Sequence, residues 1–339
     1  MKPVKVGVVG LGNLGRHHLR VYSELQEAEL VGGYDADQNV SAERCGGLGT
    51  PSFSRYEALL EQVEALSIVV PTVAHFEVAM KALERGIHIL LEKPISRTIE
   101  EAQTLIETAR EQKCTLQIGH IERFNRALRS VEGMITRPLF IEAQRMSPFS
   151  PRGTDVSVIQ DLMIHDIDII LSLISSPIER IDAVGAAVVS EEEDMANARL
   201  LFRNGCVANI TTSRMARERR RRMQIFQSDT CLSLDLLEGT ADIFRLADSG
   251  TIPETGDVCH AFGQVELGSR TQQIVSAHPL AEQEESLKLE LRSFLHALRS
   301  GQKPAVTGED GLRALRLAHE IMSAARHHSA RISMNISHQ

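Results

Sequence analysis

The 339-residue sequence predicts an α/β protein of two domains: a doubly wound parallel sheet, followed by an α+β domain with a mostly antiparallel open sheet. Over residues 1–120, apolar runs alternate with amphipathic stretches, as in βαβ units that build a parallel sheet. Beyond residue 120 strand patterns follow one another, and Asn204-Gly205 between two of them is a strong hairpin signal. We therefore expect a first domain over residues 1–120 and a second over residues 121–339, with the last helices as candidates to pack back on the first.

Composition excludes several classes of protein. The net charge of −8 argues against a general nucleic-acid binder. The five cysteines are scattered without a CxxC pattern, which argues against structural zinc and disulfides and fits reduced thiols. No apolar run approaches a membrane span, and no signal-peptide pattern precedes the first strand. We expect a cytoplasmic protein without a metal, a membrane span or a nucleic-acid partner.

A glycine-rich turn follows the first predicted strand, Lys5–Val9, and precedes a predicted helix, Arg16–Leu25. It fits G-x-G-x-x-G, in which the glycines allow a tight turn, close approach of a pyrophosphate, and packing of helix on strand. The motif alone is weak evidence, but a strand before it and a helix after it favour dinucleotide binding. The predicted cofactor-binding residues of this turn are Gly10, Gly12, Asn13, Leu14 and Gly15.

An acidic residue ends the second predicted strand, Ala28–Asp35, and lies 20 residues beyond Gly15. A carboxylate there accepts hydrogen bonds from the adenosine ribose hydroxyls and repels a 2′-phosphate. The alternative is that Asp35 only begins a turn. Together with the glycine turn, the acid favours NAD over NADP as the cofactor.

The alternation continues to Gly119. The predicted helices are Tyr56–Gln62, Phe76–Arg85 and Ile99–Gln112, and the predicted strands are Ala65–Val70, Ile87–Glu92 and Thr115–Gly119. Ligands of such sheets bind at the carboxyl ends of the strands. Pro71, Thr72 and His75 follow the third strand at that edge, so we expect them to contact the cofactor.

Glu92-Lys93-Pro94 ends the fourth predicted strand at the same edge. A lysine beside a cofactor can polarise the oxygen of a reacting hydroxyl or carbonyl group. Lys93 is therefore a candidate catalytic and cofactor-contacting residue, with an ordinary surface lysine as the alternative. Glu92 is a candidate to hold the nicotinamide ribose, or else an acid at a helix N-terminus.

The predicted helix Gln160–Ser175 carries a polar stripe that includes Asp161, His165 and Asp168. A histidine between two carboxylates is a candidate general acid or base, which an acid four residues earlier can orient. For an isolated helix, a solvated pair on an exposed face is the more common explanation. Asp166 projects into the apolar side, so we expect it to pair with a buried donor.

The second domain is predicted to contain a series of strands and two closing helices. The strands are Phe140–Arg145, Ile181–Val189, Ala198–Phe202, Val207–Thr212, Met223–Phe226, Cys231–Leu236 and Ala241–Leu246, and the helices are Glu282–Arg299 and Gly308–His328. Residues 247–280 give no clear pattern. The run Arg217–Arg222 is interpreted as an exposed hairpin end, with a phosphate or subunit contact as the alternative.

Three polar residues near the expected cleft are candidates for substrate binding. Arg123 and Asn125 follow the last parallel strand, and Arg152 precedes the Asp161 helix. Arginine forks match phosphate oxygens, although an ordinary surface pair is as good an explanation for each residue.

With these motifs in place, the chain resembles the Gfo/Idh/MocA family of oxidoreductases over nearly its whole length. The resemblance depends on Gly10–Gly15, Glu92-Lys93-Pro94, the Asp161 and His165 pair, and Pro304–Gly311. It implies that Lys93 and His165 serve catalysis and that Asp161 contacts substrate or supports His165. It also implies an open sheet that lines the substrate site and mediates assembly of the protein into a homodimer or homotetramer. The family often has a glycine pair where this chain has Ser157–Gln160, so the local geometry of the substrate loop can differ.

A narrower resemblance concerns Gly119–Asn125 and Asp161–Asp168. Both segments are similar to a branch that oxidises the 3-hydroxyl of UDP-N-acetylglucosamine with NAD. That branch implies a partner aminotransferase that uses pyridoxal phosphate, and a product for lipid A or surface polysaccharide. The alternatives are a dehydrogenase of another sugar, inositol or nucleotide sugar, or a non-catalytic NAD-binding regulator. The presence of both Lys93 and His165 counts against a regulator.

Overall fold

The structure is a computed structural model that describes residues 2–150, 156–248, 258–267, 270–279 and 283–336. The chain divides into two units. The first unit combines Met1–Ile121 with Glu284–Leu315, and the second combines Glu122–Gln283 with Arg316–Gln339. Glu284–Leu315 follows the second unit's sheet in the chain but belongs to the first unit.

The first unit contains a parallel sheet. Its strands are β1 (Val4–Val9), β2 (Ala28–Tyr34), β3 (Ala65–Ile68), β4 (His88–Glu92) and β5 (Leu116–Gly119). The strand order is β2-β1-β3-β4-β5, so the chain reverses its direction of winding between β1 and β3. All four pairings are parallel, which confirms the predicted doubly wound sheet.

Helices alternate with these strands. They are α1 (Gly15–Glu24), α2 (Gln38–Gly46), α3 (Tyr56–Leu60), α4 (Thr72–Leu83) and α5 (Ile99–Glu111). Helix α2 was not predicted; its N-cap Asp37 accepts hydrogen bonds from the backbone of Asn39 and Val40. Helix α4 begins four residues earlier than predicted, because Pro71 serves as its N-cap.

The second unit contains a nine-stranded sheet of order β13-β14-β12-β11-β10-β6-β9-β8-β7. Its strands are β6 (Phe140–Met146), β7 (Ile178–Ala186), β8 (Met195–Phe202), β9 (Val207–Ser213), β10 (Arg220–Phe226), β11 (Thr230–Asp235), β12 (Thr240–Asp248), β13 (Val258–Leu267) and β14 (Arg270–His278). Among the described strands, β6 and β9 pair in parallel and the other neighbours are antiparallel, which confirms the predicted sheet. Strands β13 and β14 lie within residues 247–280, for which no element was predicted.

The described chain has four further α-helices, and short 3-10 helices at Ile121–Phe124 and Glu132–Met134. The α-helices are α6 (Arg126–Val131), α7 (Ile164–Leu173), α8 (Ser286–Ser300) and α9 (Gly308–Ile336). A π-helical turn, Ile159–Met163, leads into α7. The prediction of one regular helix from Gln160 is therefore wrong at its start.

The arginine run does not form a hairpin end throughout. Arg220, Arg221 and Arg222 open strand β10 and pair with Met146, Arg145 and Gln144 of β6. The interpretation as a hairpin end is wrong for these three residues, because they pair with β6 along strand β10. Arg220 and Arg222 are exposed as expected, whereas Arg221 is half-buried. Arg221 donates a hydrogen bond of 3.2 Å to the Glu122 carboxylate.

Candidate active site

The glycine turn Gly10–Gly15 (the glycine loop) has the geometry that its sequence predicts. Gly10 has φ +84°, and a Cβ there would lie 2.5 Å from the Val69 carbonyl oxygen. A Cβ on Gly15 would lie 1.8 Å from the Gly10 carbonyl oxygen, so neither position accepts a larger residue. A Cβ on Gly12 would meet nothing within 4 Å. The glycine loop is thus tightly packed at both ends and open at Gly12, where a ligand can approach the backbone.

Asp35 ties the end of β2 to this loop. One carboxylate oxygen accepts a hydrogen bond of 2.6 Å from the Leu11 backbone N–H, and the other accepts one of 2.9 Å from Asp37. A cavity of about 430 Å³ opens beside it, with Gly10, Asp35, Arg55, Pro71 and Lys81 among its lining residues. This cavity lies beside β1 and β3, where the winding reverses and where doubly wound sheets bind their ligands.

His75 differs from Pro71 and Thr72, the other two residues expected to contact the cofactor. Pro71 and Thr72 begin α4, whereas His75 is fully buried and its ring nitrogens lie 2.8 Å from the Pro94 carbonyl oxygen and 2.9 Å from that of Val70. Burial lowers the pKa of His75, while the two carbonyl groups and the Glu92 carboxylate oppose that shift. The histidine therefore contacts the backbone at the ends of β3 and β4.

Lys93 lies half-buried directly after β4, and its peptide bond to Pro94 is cis. The preceding carboxylate, on Glu92, turns inward: one oxygen lies 3.4 Å from His18 Nε2, and the other accepts from the Lys93 N–H at 3.3 Å. A Cβ on Gly119 would lie 2.9 Å from the Glu92 carboxyl carbon, so glycine leaves the space for this carboxylate. Glu92 thus contacts α1 and β5.

In the second unit, Asp161 lies in the π-helical turn and His165 in the first turn of α7, and both are half-buried. The turn is wider than an α-helix, so the angle between the two side chains differs from that expected for one regular helix. The backbone N–H of Val158, which precedes the turn, donates to the Glu193 carbonyl oxygen at 2.9 Å. π-Helical turns of this kind are frequent at functional sites.

The buried partner expected for Asp166 is Arg145 of β6. The Arg145 guanidinium donates two hydrogen bonds of 2.9 Å to Asp166 and one of 2.9 Å to Glu122. All three side chains are nearly inaccessible to solvent. Sequence reasoning missed Arg145 and Glu122, although the alternation of β6 buries Ile141, Ala143 and Arg145 on one face.

The three predicted substrate residues have different surroundings. Arg123 forms a bidentate ion pair with Asp168, with N···O distances of 2.6 and 2.9 Å. Asn125 caps α6 and donates hydrogen bonds to Glu122 and to the Leu236 carbonyl oxygen. Arg152 lies outside the described residues. The assignment of these residues to substrate stays a prediction.

The described residue ranges contain no group of three or more His, Cys, Asp or Glu residues arranged to hold a metal ion. No helix within them has an apolar stretch long enough to cross a bilayer.

The glycine loop, the acid at the end of β2 and the cavity beside them fit a dinucleotide, and they define the first unit as the cofactor domain of an oxidoreductase. Residues 4–120 match the protein family described as an oxidoreductase family with an NAD-binding Rossmann fold. Residues 127–232 match the GFO/IDH/MocA C-terminal domain. The chain belongs to the Gfo/Idh/MocA family of oxidoreductases, which confirms the predicted family, fold class and NAD cofactor.

Similar proteins extend the match over nearly the whole chain. UDP-N-acetylglucosamine 3-dehydrogenase from Acidithiobacillus ferrooxidans is 37% identical over 322 residues, which cover 95% of this chain and 97% of that protein. A solved structure of the enzyme with that name from the same organism has a TM-score of 0.85 at 35% identity and covers 96% of this chain and 98% of its own. Myo-inositol 2-dehydrogenase from Thermotoga maritima is 26% identical over 335 residues, with coverage of 93% and 94%.

Proposed function

We propose that the protein oxidises the 3-hydroxyl of UDP-N-acetylglucosamine to a 3-keto nucleotide sugar with NAD. The observation that carries this proposal is the 37% identity to UDP-N-acetylglucosamine 3-dehydrogenase over 95% of the chain. Both units contribute to that alignment, because it covers nearly all of the sequence. Of the residues expected to perform the chemistry, Lys93 belongs to the first unit, and Asp161 and His165 belong to the second.

Oxidation of an alcohol requires that a proton leaves the oxygen and a hydride leaves the carbon. We assign His165 as the base that takes the hydroxyl proton. Lys93 stabilises the negative charge that develops on the same oxygen. Asp161 orients His165 or holds the sugar. NAD, when bound, supplies the acceptor for the hydride.

We assign cofactor binding to the carboxyl edge of the parallel sheet. The glycine loop at the N-terminus of α1 would hold the pyrophosphate, because helix N-termini favour anions. Asp35 would hold the adenosine ribose. The remaining assigned contacts come from Pro71, Thr72, Glu92 and Lys93. His75 would act on the cofactor only through the backbone that it contacts.

The diphosphate of the substrate requires cationic or hydrogen-bonding partners. Asn125 and the two arginines remain the candidates. The fork of Arg123 already matches Asp168, so we favour Arg152 as the arginine that binds phosphate.

The product would be a ketone, and the class of enzyme that consumes it would be an aminotransferase that uses pyridoxal phosphate. We propose that the aminated sugar enters lipid A or surface polysaccharide, and that the reaction takes place in the cytoplasm. We also propose that the protein is a homodimer or homotetramer that associates through the open face of its nine-stranded sheet.

A second candidate is an inositol dehydrogenase. The 26% identity to myo-inositol 2-dehydrogenase over 93% of the chain favours it. The same three catalytic residues would serve, since the chemistry at the hydroxyl is identical. Inositol lacks a diphosphate, so the two candidates differ in their need for Arg152.

The test is NADH absorbance after the protein is mixed with NAD and one of a panel of UDP-sugars, free sugars and inositols. An aminotransferase with glutamate removes the ketone, because alcohol oxidation by NAD is uphill at neutral pH. We expect a signal with UDP-N-acetylglucosamine that Lys93→Ala reduces to a small residual rate. A signal confined to inositols would favour the second candidate. Bound NAD without turnover on any compound would contradict both and favour a regulator.

A further inference from the structure

Two buried histidines on different helices contact the segment Glu92-Lys93-Pro94 (the lysine segment) from its two ends. His18 of α1 contacts the Glu92 side chain, and His75 of α4 contacts the Pro94 backbone. Both histidines are fully inaccessible to solvent. Neither is needed for proton transfer in the proposed reaction, so their burial beside the lysine calls for another explanation.

His75 joins the ends of two neighbouring strands. Its Nδ1 lies 2.8 Å from the Pro94 carbonyl oxygen, after β4, and its Nε2 lies 2.9 Å from the Val70 carbonyl oxygen, after β3. A neutral imidazole has one N–H donor, whereas an imidazolium donates from both nitrogens. Because carbonyl oxygens only accept, the imidazolium, or the neutral ring protonated on Nδ1, donates to the Pro94 carbonyl oxygen and fixes its position relative to β3. The charged side chains beside it are Glu92 and Lys93.

His18 joins the lysine segment to the helix that follows the glycine loop. Its Nε2 lies 3.4 Å from one Glu92 carboxylate oxygen, and the other oxygen accepts from the Lys93 N–H. In the described part of the chain, neither ring nitrogen of His18 makes a hydrogen bond of normal geometry. The contact with Glu92 is thus the polar interaction available to a ring that burial separates from water.

We propose that His18 and His75 are positioning residues for Lys93, and this inference rests on the function proposed above. The backbone on either side of Lys93 sets the point from which its long side chain extends. His18 fixes the residue before Lys93 and His75 fixes the residue after it. Through Glu92, His18 also links the lysine segment to α1.

The first test compares apolar and conservative variants in turnover. His18→Leu and His75→Leu should lower kcat by about 10- to 100-fold, since a misplacement of about 1 Å can cost that much. The dissociation constant for NAD, measured by calorimetry, should change less than about threefold, because neither ring lines the cavity beside Asp35. His18→Gln, which keeps a polar group near Glu92, should recover part of the loss.

His88→Leu is the matched control. His88 lies on β4 itself, is partly buried, and accepts a hydrogen bond of 2.9 Å from the Thr115 N–H, at the opposite end of the strand from Lys93. Its loss should lower stability and leave kcat unchanged. A loss of kcat in His88→Leu equal to that in His18→Leu would show general damage to the sheet and overturn the proposal.

A second comparison repeats the leucine substitutions in the Lys93→Ala background. If the histidines act through Lys93, each substitution should have little further effect on the residual kcat once the ammonium group is gone. The same fold-decrease in kcat in both backgrounds would overturn the proposal, because the histidines would then act independently of Lys93.

The deciding measurement needs no substrate. Hydrogen exchange of the amides of Lys93 and Ile95 is followed in the complete protein. Exchange should be slow in the wild type and at least tenfold faster in His18→Leu and His75→Leu, but not in His88→Leu. Unchanged exchange in both variants would overturn the positioning role, even if turnover is confirmed. Absence of turnover in the wild type, with the exchange pattern as expected, would instead contradict the proposed function alone.

Discussion

The Arg145 guanidinium donates two hydrogen bonds of 2.9 Å to the carboxylate of Asp166, the residue that follows His165 in α7. The same guanidinium donates to Glu122, so one cation of β6 holds two buried acids. Burial raises the pKa of Asp166, and the charge of Arg145 opposes that shift. Because α7 is fixed to β6 at the neighbouring residue, the direction of the His165 side chain depends on this pair.

Arg145→Met should destabilise the second unit. It leaves two buried carboxylates without their shared cation, and breaking a buried pair of this kind costs about 3–5 kcal/mol. Arg180→Met is the control, because the Arg180–Asp182 pair is exposed and such pairs contribute about 0–1 kcal/mol. The measurement is the free energy of unfolding in urea. Equal losses in the two variants would contradict the importance of the buried pair.

Asp35→Asn should relax the preference for NAD over NADP. The substitution removes the negative charge that repels a 2′-phosphate, and the remaining oxygen can still accept from a backbone N–H. We expect the NADP/NAD ratio of kcat/KM to rise about tenfold, equivalent to about 1.4 kcal/mol. Asp37→Asn is the control, since Asp37 caps α2. An unchanged ratio in Asp35→Asn would contradict the assignment of Asp35 to the ribose.

Gly12→Ala should separate folding from cofactor binding. Its Cβ meets no protein atom within 4 Å, so the melting temperature should stay close to that of the wild type. The methyl group occupies the space where the backbone would approach the pyrophosphate, so NAD should bind about tenfold more weakly or worse. Gly46→Ala, also without a neighbour within 4 Å, should leave binding unaltered. Full NAD affinity in Gly12→Ala would rule out this position for the pyrophosphate.

Asp194 should make stability depend on pH in the acid range. Burial opposes its ionisation, but hydrogen bonds from the Val189, Val188 and Ser190 backbone lower the pKa of Asp194 to about 2. An acid whose pKa is lower when folded stabilises the fold above its unfolded pKa of about 3.9. That contribution is lost as pH falls from about 4 towards 2. Between pH 5 and pH 3, the free energy of unfolding in urea should fall less in Asp194→Asn than in the wild type. An equal fall in both proteins would count against this assignment.

Sequence alone was sufficient where the signal is local. The glycine loop, Asp35 and the strand that ends at Lys93 each combine a short motif with the apolar run of a parallel strand, and the structure places them as predicted on the first unit's sheet. The family resemblance rested on two of these segments, the glycine loop and Glu92-Lys93-Pro94, together with the Asp161 and His165 pair and Pro304–Gly311. Strong local patterns of this kind specify the fold because each agrees with the global arrangement.

Sequence patterns did not predict which residues far apart in the chain pair with each other. Asp166 was expected to have a buried donor, but Arg145 lies 21 residues away and only the packing of α7 on β6 brings them together. His18 and Glu92 are similarly joined by the packing of α1. His75 was assigned to the cofactor by its position after β3, while its ring contacts backbone carbonyl groups. Strands β13 and β14 were missed because apolar residues do not alternate regularly along their sequences, and their pairing register shifts between Ala261 and Gly263.

The most direct test of the proposed reaction follows a labelled hydride. UDP-N-acetylglucosamine carrying deuterium at C3 is oxidised with NAD, and the reduced cofactor is analysed by mass spectrometry. The account predicts deuterium in the NADH, and none when the label is at C4. Transfer of deuterium from C4, or turnover without transfer from C3, would contradict oxidation at the 3-hydroxyl.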